Sequence, residues 1–155
     1  MLRVKVAAGE LPPVEERLPE EPFVIDPLEE IGQYGGTLRT LRPNPDRDAD
    51  ISGILVELPL VDPPELIAPD EYKGNVFLSC KVGEEGKLFT FHMRKGLKWS
   101  DGYPVTSEDV LFNYEDILLN EKITPLYPRM LTAAGEPMKL EVIDDYTFRI
   151  RFAAS

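Results

Sequence analysis

Residues 88–120, LFTFHMRKGLKWSDGYPVTSEDVLFNYEDILLN, decide the fold, because strand, turn, cap and helix signals follow one another there. Phe89, Phe91 and Met93 alternate with Thr90, His92 and Arg94. That period of two belongs to a strand with one buried and one wet face. Lys95-Gly96 closes the strand, and Ser100-Asp101-Gly102 supplies a tight turn in which Asp bonds nearby backbone and Gly accepts positive φ. Thr106 is then an N-cap with Asp109 three residues on, and Glu108 and Asp109 suit the positive end of a helix dipole. The predicted helix runs over 106–120. Its stripe of Val110, Tyr114, Ile117 and Leu118 needs a cover, and the Phe89/Phe91/Met93 face is the expected one.

Upstream, Val76, Leu78, Cys80 and Val82 alternate with Phe77, Ser79 and Lys81, and Glu84-Glu85-Gly86-Lys87 turns the chain into the next strand. A hairpin is predicted. Downstream, 123–137 reads as a loop punctuated by Pro125, Pro128, Gly135 and Pro137. A second hairpin follows, with Leu140 and Val142 before the Asp144-Asp145 turn and Tyr146, Phe148, Ile150 and Phe152 alternating after it. The fold class is therefore α+β: a mainly antiparallel sheet over about 75–152 with one amphipathic helix. Residues 1–34 form an acidic, proline-rich segment with too few apolar residues for a core of its own. Within it, Val4 and Val6 fit a frayed terminus better than a short edge strand. The organisation expected is a segment over 1–34 and a partial lobe over 35–155.

Composition removes several functions. With 28 acidic against 17 basic residues, a net charge of -11 speaks against nucleic-acid binding, which needs clustered Lys and Arg. One cysteine makes no intramolecular disulfide, and one histidine makes a His-based metal site improbable. No cofactor is implied. There is no run of about 18 apolar residues, and MLRVKVAAGELPP lacks the apolar core of a secretory signal. Taken alone, those features would leave the chain in the cytoplasm.

Each chemically suggestive residue also has a plainer reading. Asp101 and Gly102 beside Trp99 suggest a polar site with an aromatic platform, but strand end, turn and cap explain them. His92 lies on the wet face of a strand without a catalytic partner. Cys80 has the apolar neighbours of an inert thiol. The pairs Glu15-Glu16, Glu20-Glu21 and Glu29-Glu30 lack the ligand spacing of a calcium loop and read as solvated charge. Tyr34-Gly35-Gly36 precedes the β-favouring Thr37-Leu38-Arg39-Thr40, so it does not open a phosphate-binding helix. No nucleophile constellation or acid-base pair emerges, so an enzyme is not expected.

The segment TFHMRKGLKWSDGYPVTSEDVLFNYE resembles one shared by extracytoplasmic solute-binding proteins of the peptide/nickel type, family 5, which serve ABC importers. LPPVEERLPEEP, EEIGQYGGTLR and LTAAGEPMKLEVIDDYTFRIRFAAS resemble a large-bodied subgroup of that family, so the likeness spans nearly the whole chain. Family members commonly carry an aromatic residue where Cys80 stands. The resemblance implies a non-catalytic protein with a periplasmic-binding-protein type II-like fold, of which this chain would be an N-terminal fragment and a partial lobe. It implies a periplasmic or cell-surface address, an oligopeptide or similar small solute, and an ABC permease as partner. It also places the loop holding Arg42, Asn44 and Asp46 near the ligand cleft, and the segment GGTLR at the first strand of the larger lobe. A fragment of this kind would bind solute weakly or not at all. The competing expectation is a stand-alone module that associates with itself or a partner through open strand edges.

Overall fold

The structure, a computed structural model, describes residues 2–24, 27, 29–33, 35–37, 39, 60, 61 and 73–155. The chain begins with two short helices, α1 (Leu2–Ala7) and α2 (Val14–Arg17). Val4 and Val6 are thus helical, and the edge strand considered for them does not form. Two brief strands, β1 (Leu60–Val61) and β2 (Lys73–Gly74), pair antiparallel ahead of the main sheet.

That sheet holds β3 (Phe77–Gly83), β4 (Leu88–Met93), β7 (Lys139–Asp144) and β8 (Thr147–Arg151), all antiparallel in the order β3-β4-β8-β7. Both predicted hairpins are present, and β8 joins them edge to edge. Register puts Cys80 opposite Phe91, Phe91 opposite Phe148 and Phe148 opposite Val142, which makes one apolar face across four strands. The rings of Phe91 and Phe148 stack at 5.0 Å, and Phe77 meets both at 5.4 Å. Phe89 meets Phe152 edge-on at 5.8 Å. Phe148 is 2% exposed and Met93 3%, so the core lies at this aromatic cluster.

Phe77 reaches that face because the register shifts between Phe77 and Ser79. Strict alternation would have sent Phe77 to the wet side with Ser79. A bulge adds one residue to one strand and inverts the phase beyond it. Leu78 therefore stands on the polar side of the sheet, not with Cys80 and Val82 as the alternation predicts.

The predicted helix is α3 (Ser107–Phe112), which continues as a π-helical turn over Asn113–Leu118. Thr106 and Asp109 form the reciprocal capping box, with the Thr106 N–H donating to Asp109 Oδ2 at 2.7 Å. Asp109 Oδ1 also accepts from the Trp99 indole N–H at 3.1 Å. Asp109→Ala is accordingly expected to cost about 1–2 kcal/mol, a cap plus an exposed hydrogen bond, read as a lower urea midpoint. An unchanged midpoint would show that the box carries no stability.

The helix docks on the sheet at one end. Ser107, fully buried, donates its N–H to the Asp145 carbonyl at 2.8 Å and its hydroxyl to the Asp144 carbonyl. Tyr114 donates to the Met138 carbonyl at 2.9 Å. Its closest approach is therefore to β7, separated from β4 by β8. The expected roof over Phe89 and Phe91 is displaced accordingly: those rings are half-buried and pack against Phe77, Phe148 and Phe152. The 123–137 loop contains one small hairpin, β5 (Thr132–Ala133) with β6 (Glu136–Pro137).

The N-terminal segment lies against the turn after β4. Glu20 N–H donates to the Lys95 carbonyl at 3.0 Å, and Lys98 Nζ to the Glu16 carbonyl at 3.3 Å. Gly96 makes this possible. Its φ is +84°, and a Cβ there would stand 3.2 Å from both Pro19 Cα and Glu20 N.

Candidate functional site

The polar face of the sheet forms the floor of an open groove of about 840 Å³. Alternation dictates its chemistry: each residue between two core residues of β3, β4 and β8 must face the other way. Register then aligns them in a row. Ser79 lies opposite His92, His92 opposite Thr147, and Thr147 opposite Asp144, one residue from each of four strands. Thr147 Oγ1 and His92 Nδ1 are 3.4 Å apart. Lys81 and Lys95, the turn residues Asp145 and Tyr146, and Glu20 and Glu21 of the N-terminal segment make the walls.

Charges in the groove are interleaved. Lys95 Nζ sits 5.4 Å from the centroid of the Tyr146 ring, a cation–π contact. Asp144 Oδ1 accepts the Tyr146 N–H at 2.8 Å. That bond, followed by the Thr147 hydroxyl and the positive charges of Lys95 and His92, holds the Asp144 carboxyl below the usual carboxylate range despite some desolvation. A depressed carboxyl stabilises the fold above its unfolded pKa of about 3.9, and that contribution disappears as pH falls through the lower folded value. A carbon-detected titration should therefore find the Asp144 midpoint lower in the native chain than in urea, and Thr147→Val should raise it. Equal midpoints would remove these contacts from the account.

The sequence candidates separate clearly. Arg42, Asn44, Asp46 and Tyr34 lie outside the described residues, as do Leu38 and Thr40 of the GGTLR segment and its continuation. Trp99 is 52% exposed, but its indole is tied to Asp109, Asp101 accepts the Tyr103 N–H at 3.0 Å, and Gly102 has φ +93°. This is a self-contained turn. Cys80 is half-buried, and burial pushes its thiol pKa up, which disfavours the reactive thiolate. Thiol labelling at pH 8 should run several-fold slower in the native chain than in denaturant; equal rates would contradict this.

His92 is drawn into the groove with Glu20 and Glu21, which composition read only as solvated charge. Counting each hairpin from its turn aligns Ser79 with His92 and Asp144 with Thr147, but the β4–β8 pairing that joins the two pairs has no local signal. Nothing in the sequence announced that Glu20 would fold back beside them. The groove offers hydroxyls, an imidazole, ammonium groups and carboxylates. Among the described residues, no group of three or more His, Cys, Asp or Glu is placed to hold a metal. Nor is any described helix long and apolar enough to cross a membrane. These donors and acceptors can bind a polar solute.

Comparison with known proteins agrees. The profile of bacterial extracellular solute-binding proteins, family 5, middle region, matches residues 71–155. The periplasmic alpha-galactoside-binding protein of Rhizobium meliloti is 32% identical over 95% of this chain and 24% of its own length. In structure, the chain is similar to an oligopeptide-binding protein OppA, with TM-score 0.80 and 40% identity over 99% of this chain and 23% of that one. It is similar also to the periplasmic binding protein MelB of Agrobacterium fabrum C58, solved with stachyose, with TM-score 0.70 and 34% identity over 96% of this chain and 25% of that one. The chain thus spans about a quarter of the length of these relatives.

Proposed function

Because this chain belongs to family 5 of the bacterial extracellular solute-binding proteins, non-catalytic binders with a type II periplasmic-binding-protein fold, we propose that it serves an ABC importer as part of the solute receptor. Its cargo is an oligopeptide or an α-galactoside oligosaccharide, handed to the permease outside the cytoplasm. The observation that supports this best is the extent of the likeness. Relatives named for these two cargo classes match 95–99% of the chain, well beyond the central hairpin and helix. The mechanism is closure of two walls on the solute, which excludes water and presents a closed surface to the membrane partner. The loop with Arg42, Asn44 and Asp46 is proposed to line the cleft, on the resemblance of its surroundings alone.

Deleting the coding sequence in the source bacterium and following uptake of labelled tripeptides and of raffinose tests this reading. Loss of one of the two is expected, and unchanged uptake of both overturns it. The described residues provide an open groove and not a closed cleft. The 155-residue chain alone is therefore expected to bind its cargo only weakly, with Kd around 1 mM. Calorimetry showing micromolar affinity would contradict that. Light scattering should find a monomer; a stable dimer would favour self-association through strand edges instead.

A further inference from the structure

We propose that the groove on the polar face of the sheet is a subsite for a neutral oligosaccharide that lies across the strands. This rests on the reading of the chain as a solute receptor and deepens it by naming the class of solute. Three observations carry it.

The floor is periodic. Ser79, His92, Thr147 and Asp144 follow one another across β3, β4, β8 and β7, so polar groups recur at the inter-strand spacing of about 4.8 Å. That step is close to the length of one hexose ring, and each position offers a group able to meet a sugar hydroxyl. Leu78 and the Tyr146 ring add apolar surface to the lining, as the C–H faces of a sugar require.

Size agrees as well. A groove of about 840 Å³ falls within the range of small-molecule sites and holds roughly two or three hexose rings.

Charge then separates saccharide from peptide. A zwitterionic peptide needs cations gathered at one end of its site and anions at the other. Here Lys95 sits over Tyr146, next in sequence to Asp145 and within electrostatic reach of Asp144, and its carbonyl takes the Glu20 N–H. Opposite charges are mixed, with Glu20, Glu21, Asp144 and Asp145 interspersed with Lys81 and Lys95. A neutral polyol meets no like charge in such a site, whereas each terminus of a peptide does.

The test uses the isotope-labelled 155-residue chain, titrated separately with raffinose and with triglycine while amide resonances are followed. Raffinose is expected to shift Ser79, His92 and Thr147 together, with triglycine leaving them unmoved. Thr147→Val and, on the exposed edge strand, Ser79→Ala should each weaken raffinose about tenfold while keeping the native spectrum. Groove shifts with triglycine but not raffinose, or no groove shifts with raffinose, would overturn the proposal. Raffinose shifts confined to residues outside the groove would overturn it too, yet leave the receptor reading standing. The receptor reading fails separately, through unchanged uptake in the deletion strain.

Discussion

Phe148→Ala is expected to destabilise the chain by about 3–5 kcal/mol, the cost of an aromatic-to-alanine truncation in a core that cannot collapse around the gap. Phe148 is 2% exposed and lies on the central strand β8, with Phe91 opposite on β4 and Val142 opposite on β7. Phe77 packs edge-on against it, and Phe91 stacks on it at 5.0 Å. Removing the ring opens a gap in a row of apolar side chains that crosses β3, β4, β8 and β7. Since domains of this size are stable by only about 5–15 kcal/mol, the variant should unfold at a far lower urea concentration or fail to fold. Phe152→Ala, which removes only the peripheral contact with Phe89, is the control and should cost less than half as much. Equal losses for the two would show that the stacked cluster is not the core.

Much of this was legible. The alternation in 88–94 and 146–152, the turn residues and the Thr106/Asp109 box are local signals, and each produced the element it predicts. What escaped depends on contacts distant in sequence. The bulge at Leu78 is set by how β3 lies against β2 and β4, and it moved Phe77 into the core. The helix docks through Ser107 on the Asp144 and Asp145 carbonyls, and this drew it to the β7 edge. A periodic apolar stripe says that a helix has a partner, not which strand the partner is. The groove failed to show for the same reason. His92, Thr147 and Asp144 are 55, 3 and 52 positions apart by number (147-92, 147-144, 144-92), and only strand register makes them neighbours.

Gly74→Ala is the second change expected to have a large effect, through crowding where Phe148→Ala acts through a void. A Cβ on Gly74 would stand 2.2 Å from the Leu78 carbonyl oxygen, 2.7 Å from its carbon and 2.8 Å from the Phe77 oxygen. All three are backbone atoms, so no side chain can rotate away. The strand must move. Moving it opens a second contact, because the Gly74 carbonyl accepts Arg94 Nη2 at 3.2 Å and the Asn75 carbonyl accepts Arg94 Nε at 2.7 Å. Arg94 is only 6% exposed, and these charge-assisted bonds offset part of the cost of burying its guanidinium. Overpacking and the weakened clamp together should cost about 3 kcal/mol or more. Arg94→Met removes the charge along with its bonds and should cost about 2 kcal/mol on its own. If both changes act on one clamp, the double variant will lose clearly less than the two single losses added, since Gly74 no longer has a guanidinium to uncover. Strict additivity would separate the two sites, and a Gly74→Ala protein within about 0.5 kcal/mol of the parent would mean that β2 can shift without consequence.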